Sequence, residues 1–191
     1  AHQNRWFLDP LFGRGYPGEL VERLGALAPP PLDGYDGRLD FLGANYYTRH
    51  RARAAGGAFG AEMVAPSGVP TTATGWEVYP DGLRALLVRL HADYGPIPLL
   101  VTENGAAFGD DRDRLAYLAR HLAAAADAIE AGVPLEGYFV WSLLDNFEWA
   151  EGYSKRFGIV EVDYATQRRT VRPSGRWYAS LVEEWRRVGA R

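Results

Sequence analysis

Three short runs of the chain are apolar at nearly every position and have the length of buried strands. They cover 39–47 (LDFLGANYY), 97–104 (IPLLVTEN) and 137–146 (GYFVWSLLDN). A strand with one face in water alternates apolar and polar residues, whereas a parallel strand covered on both faces is apolar throughout. The pattern therefore predicts three parallel strands that are buried on both faces.

Helical patterns lie between and after these runs. The segment 80–95 begins with Pro-Asp and ends in glycine, 111–132 carries large apolar residues at helical spacing, and a last helix is predicted around 174–185. The buried stripe of the second helix is expected to consist of Leu115, Leu118, Leu122 and Ile129. The alternation predicts an α/β fold. Because no linker or low-complexity segment divides the sequence, residues 1–191 are interpreted as a single domain.

Composition and charge narrow the function classes. The sequence is 47% hydrophobic and 24% charged with a formal net charge of −3, which argues against nucleic acid as a partner. It contains no cysteine, and its four histidines are scattered, so neither a metal site nor a cofactor is predicted. No apolar run has the length of a membrane span and the first residues lack a secretory pattern, so a cytoplasmic protein without a membrane partner is expected.

Each predicted strand ends in polar or aromatic residues. These endings are Asn45-Tyr46-Tyr47, Glu103-Asn104 and Asp145-Asn146. The Gly-x-Gly-x-x-Gly signature of dinucleotide binding follows none of them, whereas barrel enzymes place their chemistry at such strand ends. A complete barrel needs about 250 residues. The pattern therefore predicts a partial (β/α)8 TIM barrel, and Glu103 is its leading functional candidate because a buried strand-end carboxylate is costly to desolvate.

Aromatic residues are the compositional excess of this chain. They make up 13% of it, including 6 Trp and 11 Tyr, and many stand beside Gly and Asp in predicted loops. A flat ring can cover the C–H face of a sugar while neighbouring carboxylates and amides bind its hydroxyls. This composition favours a carbohydrate ligand.

Six segments resemble the C-terminal part of glycoside hydrolase family 1, the retaining β-glucosidases and β-galactosidases. They run in the family's order from Trp6 to Tyr178. The segments are WFLDPLFGRGYP, DFLGANYYTR, GWEVYPDGL, VTENGAAF, GYFVWSLLDNFEWAEGYSKRFGIVEVDY and RRTVRPSGRWY. The resemblance implies the C-terminal βα units of a TIM barrel, with the N-terminal units absent from this chain.

The resemblance also implies roles at two strand ends. In the family a TENG sequence ends the seventh barrel strand and its Glu is the nucleophile, which assigns that role to Glu103. Retaining glycosidases need such an ionised carboxylate and a second carboxylic acid about 5 to 5.5 Å away to protonate the leaving oxygen. Tyr47 is implied to hydrogen-bond the nucleophile, with Asn45 nearby, while Tyr46 should face the other way. The structural alternative is a Glu103 paired with a neighbouring Arg.

A sugar-binding set is implied by the same resemblance. Trp141 would form the platform under the glycone, Glu148 would accept hydrogen bonds from its O4 and O6 hydroxyls, and Trp149 would donate an indole N–H. Phe157 would close the pocket wall, and Trp76 would border the aglycone side. The alternatives are a core position for Trp141 and a lid over the core for Trp76. Structural roles are expected for Glu77, Asp145 and Glu151.

Glu148 bears on the class of substrate. A carboxylate at this position would repel a phosphate dianion, so an unphosphorylated β-glucoside, β-galactoside or β-fucoside is expected. An axial and an equatorial O4 would both meet Glu148, and the residues therefore leave the choice among these sugars open.

The family's general acid/base lies in an Asn-Glu-Pro motif, which does not occur in this sequence. The absence of this motif is compatible with three origins of the chain: a split enzyme, a truncated or engineered fragment, or part of a longer protein. The isolated chain is expected to be weak or inactive and to need an N-terminal half for the acid/base. Exposed strand edges would favour pairing with that half or self-association. The alternative function is a non-catalytic carbohydrate-binding or assembly fragment.

Overall fold

The computed structural model describes residues 4–32, 37–56 and 60–189. The α-helices in these ranges are α1 Arg5–Leu11, α2 Gly18–Leu24, α3 Pro80–Tyr94, α4 Asp111–Glu130 and α5 Pro173–Gly189, with short 3₁₀ helices at Gly25–Leu27 and Trp149–Glu151. The strands there are β1 Leu42–Asn45, β2 Arg51–Ala54, β3 Ala61–Val64, β4 Leu99–Asn104, β5 Leu135–Val140, β6 Val160–Val162 and β7 Arg169–Val171. None of the described helices is long and apolar enough to cross a membrane.

The central sheet consists of three parallel strands in the order β1-β4-β5. The predicted parallel arrangement is confirmed, but the bounds differ. Strand β1 is shorter than the predicted 39–47, and β5 starts at Leu135 and ends at Val140. After β5 the backbone leaves the central sheet: the N–H of Ser142 bonds to the carbonyl of Phe157, and Leu144 forms only an isolated parallel bridge, with Val160 of β6. The predicted strand 137–146 was therefore wrong in its second half.

Two antiparallel hairpins, β2–β3 and β6–β7, lie outside this sheet and were not predicted. Strand β2 reads RARA and β7 reads RTV, and most of their residues are exposed. Neither strand has the apolar run on which the strand predictions were based. Their stability comes from ladder hydrogen bonds and cross-strand pairs, which are not visible as hydrophobicity.

The three predicted helices are present and have the expected ends. Helix α3 has Pro80 at its first position and stops before Gly95, whose φ is +89°. Helix α4 is capped by Asp110, whose side chain accepts a hydrogen bond from the N–H of Arg112. The last helix, α5, extends beyond the predicted 174–185 at both ends.

The buried stripe of α4 differs from the prediction. Of the four residues expected there, only Leu118 is fully buried, and Ile129 is 40% exposed. The buried positions are Arg114, Tyr117, Leu118, His121, Ala124, Ala125 and Ala128. Small alanines allow close helix packing, and Arg114, Tyr117 and His121 each make at least one hydrogen bond there, so large apolar residues did not mark the buried face.

The helices cover one face of the sheet and form the main core there. Leu99 and Val101 of β4 are fully buried against Leu83 and Leu87 of α3. Ala128 of α4 belongs to the same cluster. These contacts fix β4 in the middle of the sheet.

The opposite face of the sheet is open in this chain. Phe139 of β5 is 57% exposed, and Gly43 and Asn45 of β1 are also exposed. Thr102 lies on this face, since its Cγ2 is 2.9 Å from the position of a Cβ on Gly43. The prediction that both faces are buried was therefore wrong for this chain, because its helices cover only one side.

The loop after β5 is held by a buried carboxylate. The side chain of Asp145 is fully buried and accepts two 3.0 Å hydrogen bonds from Arg172. It also accepts a hydrogen bond from the N–H of Gly158 at 3.0 Å and contacts Arg156 at 3.4 Å. The expected structural role of Asp145 agrees with these contacts.

Replacing Asp145 with Asn should strongly destabilise the chain. The substitution keeps the shape but leaves Arg172, whose side chain is 14% exposed, without its counter-charge. Breaking a buried pair costs about 3 kcal/mol, whereas an exposed pair contributes less than about 1 kcal/mol. Urea unfolding measures this loss, with Asp93→Asn as the control because Asp93 forms an exposed pair with Arg89. Equal losses for the two variants would contradict the assignment.

Candidate active site

Glu103 and Tyr47 meet at the carboxyl ends of two neighbouring strands. The Tyr47 hydroxyl donates a 2.7 Å hydrogen bond to Oε2 of Glu103. Burial, this bond and the charges of Glu103 and Glu148 raise the pKa of Tyr47 above its usual range. The phenol therefore keeps its proton at neutral pH and serves as a donor to the carboxylate.

The register of the parallel strands produces this contact. Asn45 of β1 pairs with Glu103 of β4, after a register shift between Ala44 and Asn45. The side chain of Asn45 accepts a 2.7 Å hydrogen bond from Thr102 Oγ1. Tyr47 follows two residues after Asn45 and returns to the same side of the chain. Tyr46 faces the other way as expected, being 7% exposed and bonded to the carbonyl of Tyr79.

Three aromatic rings form a wall beside the carboxylate. The ring centroids of Trp76 and Phe157 lie 5.5 Å and 6.4 Å from that of Tyr47, and 6.0 Å from each other. Phe157 is 1% exposed, whereas Trp76 and Tyr47 are partly exposed. Phe157 therefore supports the wall from behind, and the other two rings form its surface.

An ion-pair cluster around a buried carboxylate holds the loop that carries Trp76. Arg49 and Arg51 each donate two hydrogen bonds to the carboxylate of Glu77, at 2.8 to 3.0 Å. The hydrogen bonds from Arg51 and Arg49 lower the pKa of Glu77 to about 2, so this carboxylate stays ionised. Because its carboxylate is bonded by these two guanidinium groups, the contacts of Glu77 agree with the structural role that was expected.

Trp141 lies where the chain leaves the third strand. Its backbone N–H bonds to the carbonyl of Asn104 at 2.9 Å, and its indole Nε1 donates to Oε2 of Glu148 at 3.2 Å. The peptide bond between Trp141 and Ser142 is cis. The indole and the Glu148 carboxylate therefore fix one another's position.

Gly105, directly after Asn104, allows the close approach of Trp141. A Cβ at position 105 would lie 1.6 Å from the carbonyl oxygen of Trp141. Only glycine fits this contact without moving the Trp141 backbone. The asparagine-glycine step after the carboxylate therefore has a packing function, which sequence reasoning missed.

Glu148 and Trp149 lie at a tight turn beyond the third strand. The N–H of Glu148 bonds to the carbonyl of Gly152 at 2.7 Å, which closes the turn. Trp149 has a φ of +46° and is 83% exposed. Its indole is thus held on the surface by the backbone of the turn.

The structure brings most of the predicted residues to one end of the sheet, in two groups. Tyr47, Glu103, Trp76 and Phe157 form the first group, and the Trp141–Glu148 pair forms the second. The negative charge of Glu148 in the second group contributes to the raised pKa of Tyr47 in the first. The two groups are therefore coupled electrostatically. No group of three His, Cys, Asp or Glu side chains within the described ranges could hold a metal ion.

Comparisons with known proteins identify relatives along nearly the whole chain. The family model for glycosyl hydrolase family 1 matches residues 1–186. The chain is 43% identical to β-glucosidase A of Thermotoga maritima and 40% identical to a bifunctional β-D-glucosidase/β-D-fucosidase of Bifidobacterium breve, covering 93% and 95% of this chain but only 43% and 46% of those proteins. It therefore spans less than half the length of these relatives.

A solved structure of the Thermotoga maritima β-glucosidase, in complex with deoxynojirimycin, superposes with a TM-score of 0.85 at 43% identity. The match covers 94% of this chain and 43% of that one. The three parallel strands and their helices are thus the C-terminal part of a (β/α)8 barrel, as the sequence predicted.

Replacing Gly105 with Ala should destabilise the chain and displace Trp141. Forcing a methyl group into a filled space costs about 1 to 3 kcal/mol. Urea unfolding and the near-ultraviolet circular dichroism of the indoles measure the two effects. Gly109→Ala is the control, because a Cβ there meets nothing within 4 Å. Indistinguishable unfolding curves for the two variants would contradict the packing role of Gly105.

Proposed function

The chain belongs to glycosyl hydrolase family 1, and on that premise we propose that it carries the nucleophile half of a retaining β-glycosidase active site. The observation that carries this proposal is the carboxylate of Glu103 at a strand end, hydrogen-bonded at 2.7 Å by the Tyr47 phenol. Such a donor orients an ionised carboxylate and leaves its second oxygen available.

Glu103 attacks the anomeric carbon on the face opposite the leaving group. A glycosyl ester forms as the bond to the aglycone oxygen breaks, and water later hydrolyses that ester with net retention. Tyr47 bonds Oε2 of the carboxylate, so Oε1 is the oxygen that forms the ester. The proton for the aglycone oxygen comes from a carboxylic acid outside this chain, since the Asn-Glu-Pro motif does not occur in the sequence.

The remaining residues bind the sugar. Trp141 lies under the glycone, and Glu148, already oriented by the Trp141 indole, accepts hydrogen bonds from the O4 and O6 hydroxyls. The exposed Trp149 donates its indole N–H to the same hydroxyl groups. Asn45 binds at the rim beside the nucleophile, and Trp76 borders the aglycone, with Phe157 behind it.

The substrate is an unphosphorylated β-glucoside, β-galactoside or β-fucoside. Relatives named as a β-glucosidase and as a β-glucosidase/β-fucosidase support this class. So does a homologous structure that contains deoxynojirimycin. The carboxylate of Glu148 at the glycone disfavours a phosphorylated sugar.

The part of the active site that carries the general acid/base comes from a second polypeptide segment, which covers the open face of the sheet. Phe139 is 57% exposed there, and the chain matches only 43% of the length of its Thermotoga maritima relative. The N-terminal half of a barrel would cover this face, and self-association is the other way to bury it. The isolated chain therefore has little turnover of ordinary glucosides.

A mechanism-based label tests the nucleophile without the acid half. Incubation with 2,4-dinitrophenyl 2-deoxy-2-fluoro-β-glucoside should add one fluoroglucosyl group to Glu103, because dinitrophenolate leaves without protonation. Intact mass and peptide mapping measure the adduct. Glu103→Gln should abolish it, whereas Glu151→Gln, a change at an exposed carboxylate, should not. An adduct at another residue, or none, would contradict the proposal.

The alternative is a fragment that binds carbohydrate or assembles with a partner without catalysis. The exposed Trp149 and the open sheet face favour it as the second candidate. A sugar-dependent rise in melting temperature without any adduct on Glu103 would support this alternative over the enzyme.

A further inference from the structure

Tyr117 is a buried residue of α4 whose hydroxyl reaches the strand ends of the candidate site. It is 1% exposed and stacks on His121 with ring centroids 3.9 Å apart. The hydroxyl donates a 2.9 Å hydrogen bond to the carbonyl of Tyr47 and accepts one from Asn104 Nδ2 at 3.1 Å. Burial raises the pKa of Tyr117, so the hydroxyl keeps the proton that it donates.

Asn104, the residue after Glu103, connects this hydroxyl to the central sheet. Its side chain is fully buried, and Nδ2 also donates to the carbonyl of Tyr46 at 2.6 Å. Its Oδ1 accepts a hydrogen bond from the hydroxyl of Tyr138 on β5. Both amide hydrogens and the oxygen are thus used, which leaves the end of β4 a single orientation.

The Tyr47 carbonyl is the point at which this network meets the nucleophile pair. Tyr47 lies two residues beyond the end of β1, where the parallel ladder has already ended. The Tyr117 hydroxyl holds its backbone there, and the Tyr47 side chain extends from this backbone to Glu103. A shift of the backbone would move the phenol by a similar distance.

We propose that Tyr117 is a positioning residue, whose hydroxyl holds the backbone of Tyr47 so that the Tyr47 phenol stays bonded to Glu103. Tyr117 touches neither the carboxylate nor the sugar-facing side chains and acts through Tyr47. The positioning role itself does not depend on the proposed function of Glu103. Only its expected effect on the reaction rate rests on Glu103 being the nucleophile.

A different reading gives Tyr117 a packing role in the helix–sheet core alone. Both readings predict some loss of stability on removal of the hydroxyl. Under the positioning role, removing the Tyr117 hydroxyl affects Glu103 only when the Tyr47 hydroxyl is present. Under a packing role alone, no such dependence is expected. A double-mutant cycle measures this difference.

The first measurement is the ¹³C chemical shift of the Glu103 side-chain carboxylate at pH 7, in the chain labelled with ¹³C-glutamate. Glu103→Gln assigns the resonance by removing it. Tyr47→Phe should move the resonance, Tyr117→Phe should move it in the same direction, and the double variant should match Tyr47→Phe alone. Tyr117→Phe keeps the ring that stacks on His121, and urea unfolding checks that it folds. Tyr94→Phe is the control, since that phenol bonds Asp9 instead.

An unmoved resonance in Tyr117→Phe, or shifts that add in the double variant, would overturn the inference. This result does not require the chain to react with any sugar. The second measurement is the rate of adduct formation with the fluoroglucoside, which should fall about tenfold in Tyr117→Phe at unchanged half-saturating concentration. A wild-type chain that forms no adduct would contradict the proposed function, while the chemical shifts would still decide the role of Tyr117.

Discussion

A buried amide must find its hydrogen bonds inside the protein, because an unsatisfied polar group away from water is costly. Asn104 meets this constraint by bonding the Tyr46 carbonyl and the hydroxyls of Tyr117 and Tyr138. These partners come from the segment after β1, from α4 and from β5. The end of β4 is thereby fixed from three sides, and the backbone of Glu103, the preceding residue, is fixed with it.

Two buried carboxylates bound to arginines hold the loops around Glu103, in addition to the ring contacts of Trp76. Glu77 is fixed by two arginines and carries Trp76 beside it, and Asp145 is fixed by Arg172 in the loop that continues to Glu148. Each carboxylate is buried and accepts several hydrogen bonds from arginine side chains, so its position is defined by several directional bonds. The side chains proposed to face the sugar, such as Trp76 and Trp149, are partly or largely exposed, whereas the loops that carry them are held from below by these bonds.

The central alternation of strands and helices could be predicted because it depends on local apolar runs and on helix-end signals such as Pro80 and Gly95. The hydrogen bond between Tyr47 and Glu103 was implied by the family resemblance, and in the structure the shared end of two parallel strands brings these residues together. The β2–β3 hairpin could not be predicted, since its residues are exposed and charged. The stripe of α4 was predicted wrongly, because its buried positions include Tyr117, whose hydrogen bonds are made by residues distant in sequence.

The central claim is that Glu103 forms the bond to the anomeric carbon, and the most direct test is the stereochemistry of azide capture by the Glu103→Gly chain. Azide should occupy the space of the lost carboxylate and attack 2,4-dinitrophenyl β-glucoside opposite the leaving group. The account predicts azide-dependent release of dinitrophenolate with α-glucosyl azide as the product. Release that does not depend on azide, or a product of β configuration, would contradict it.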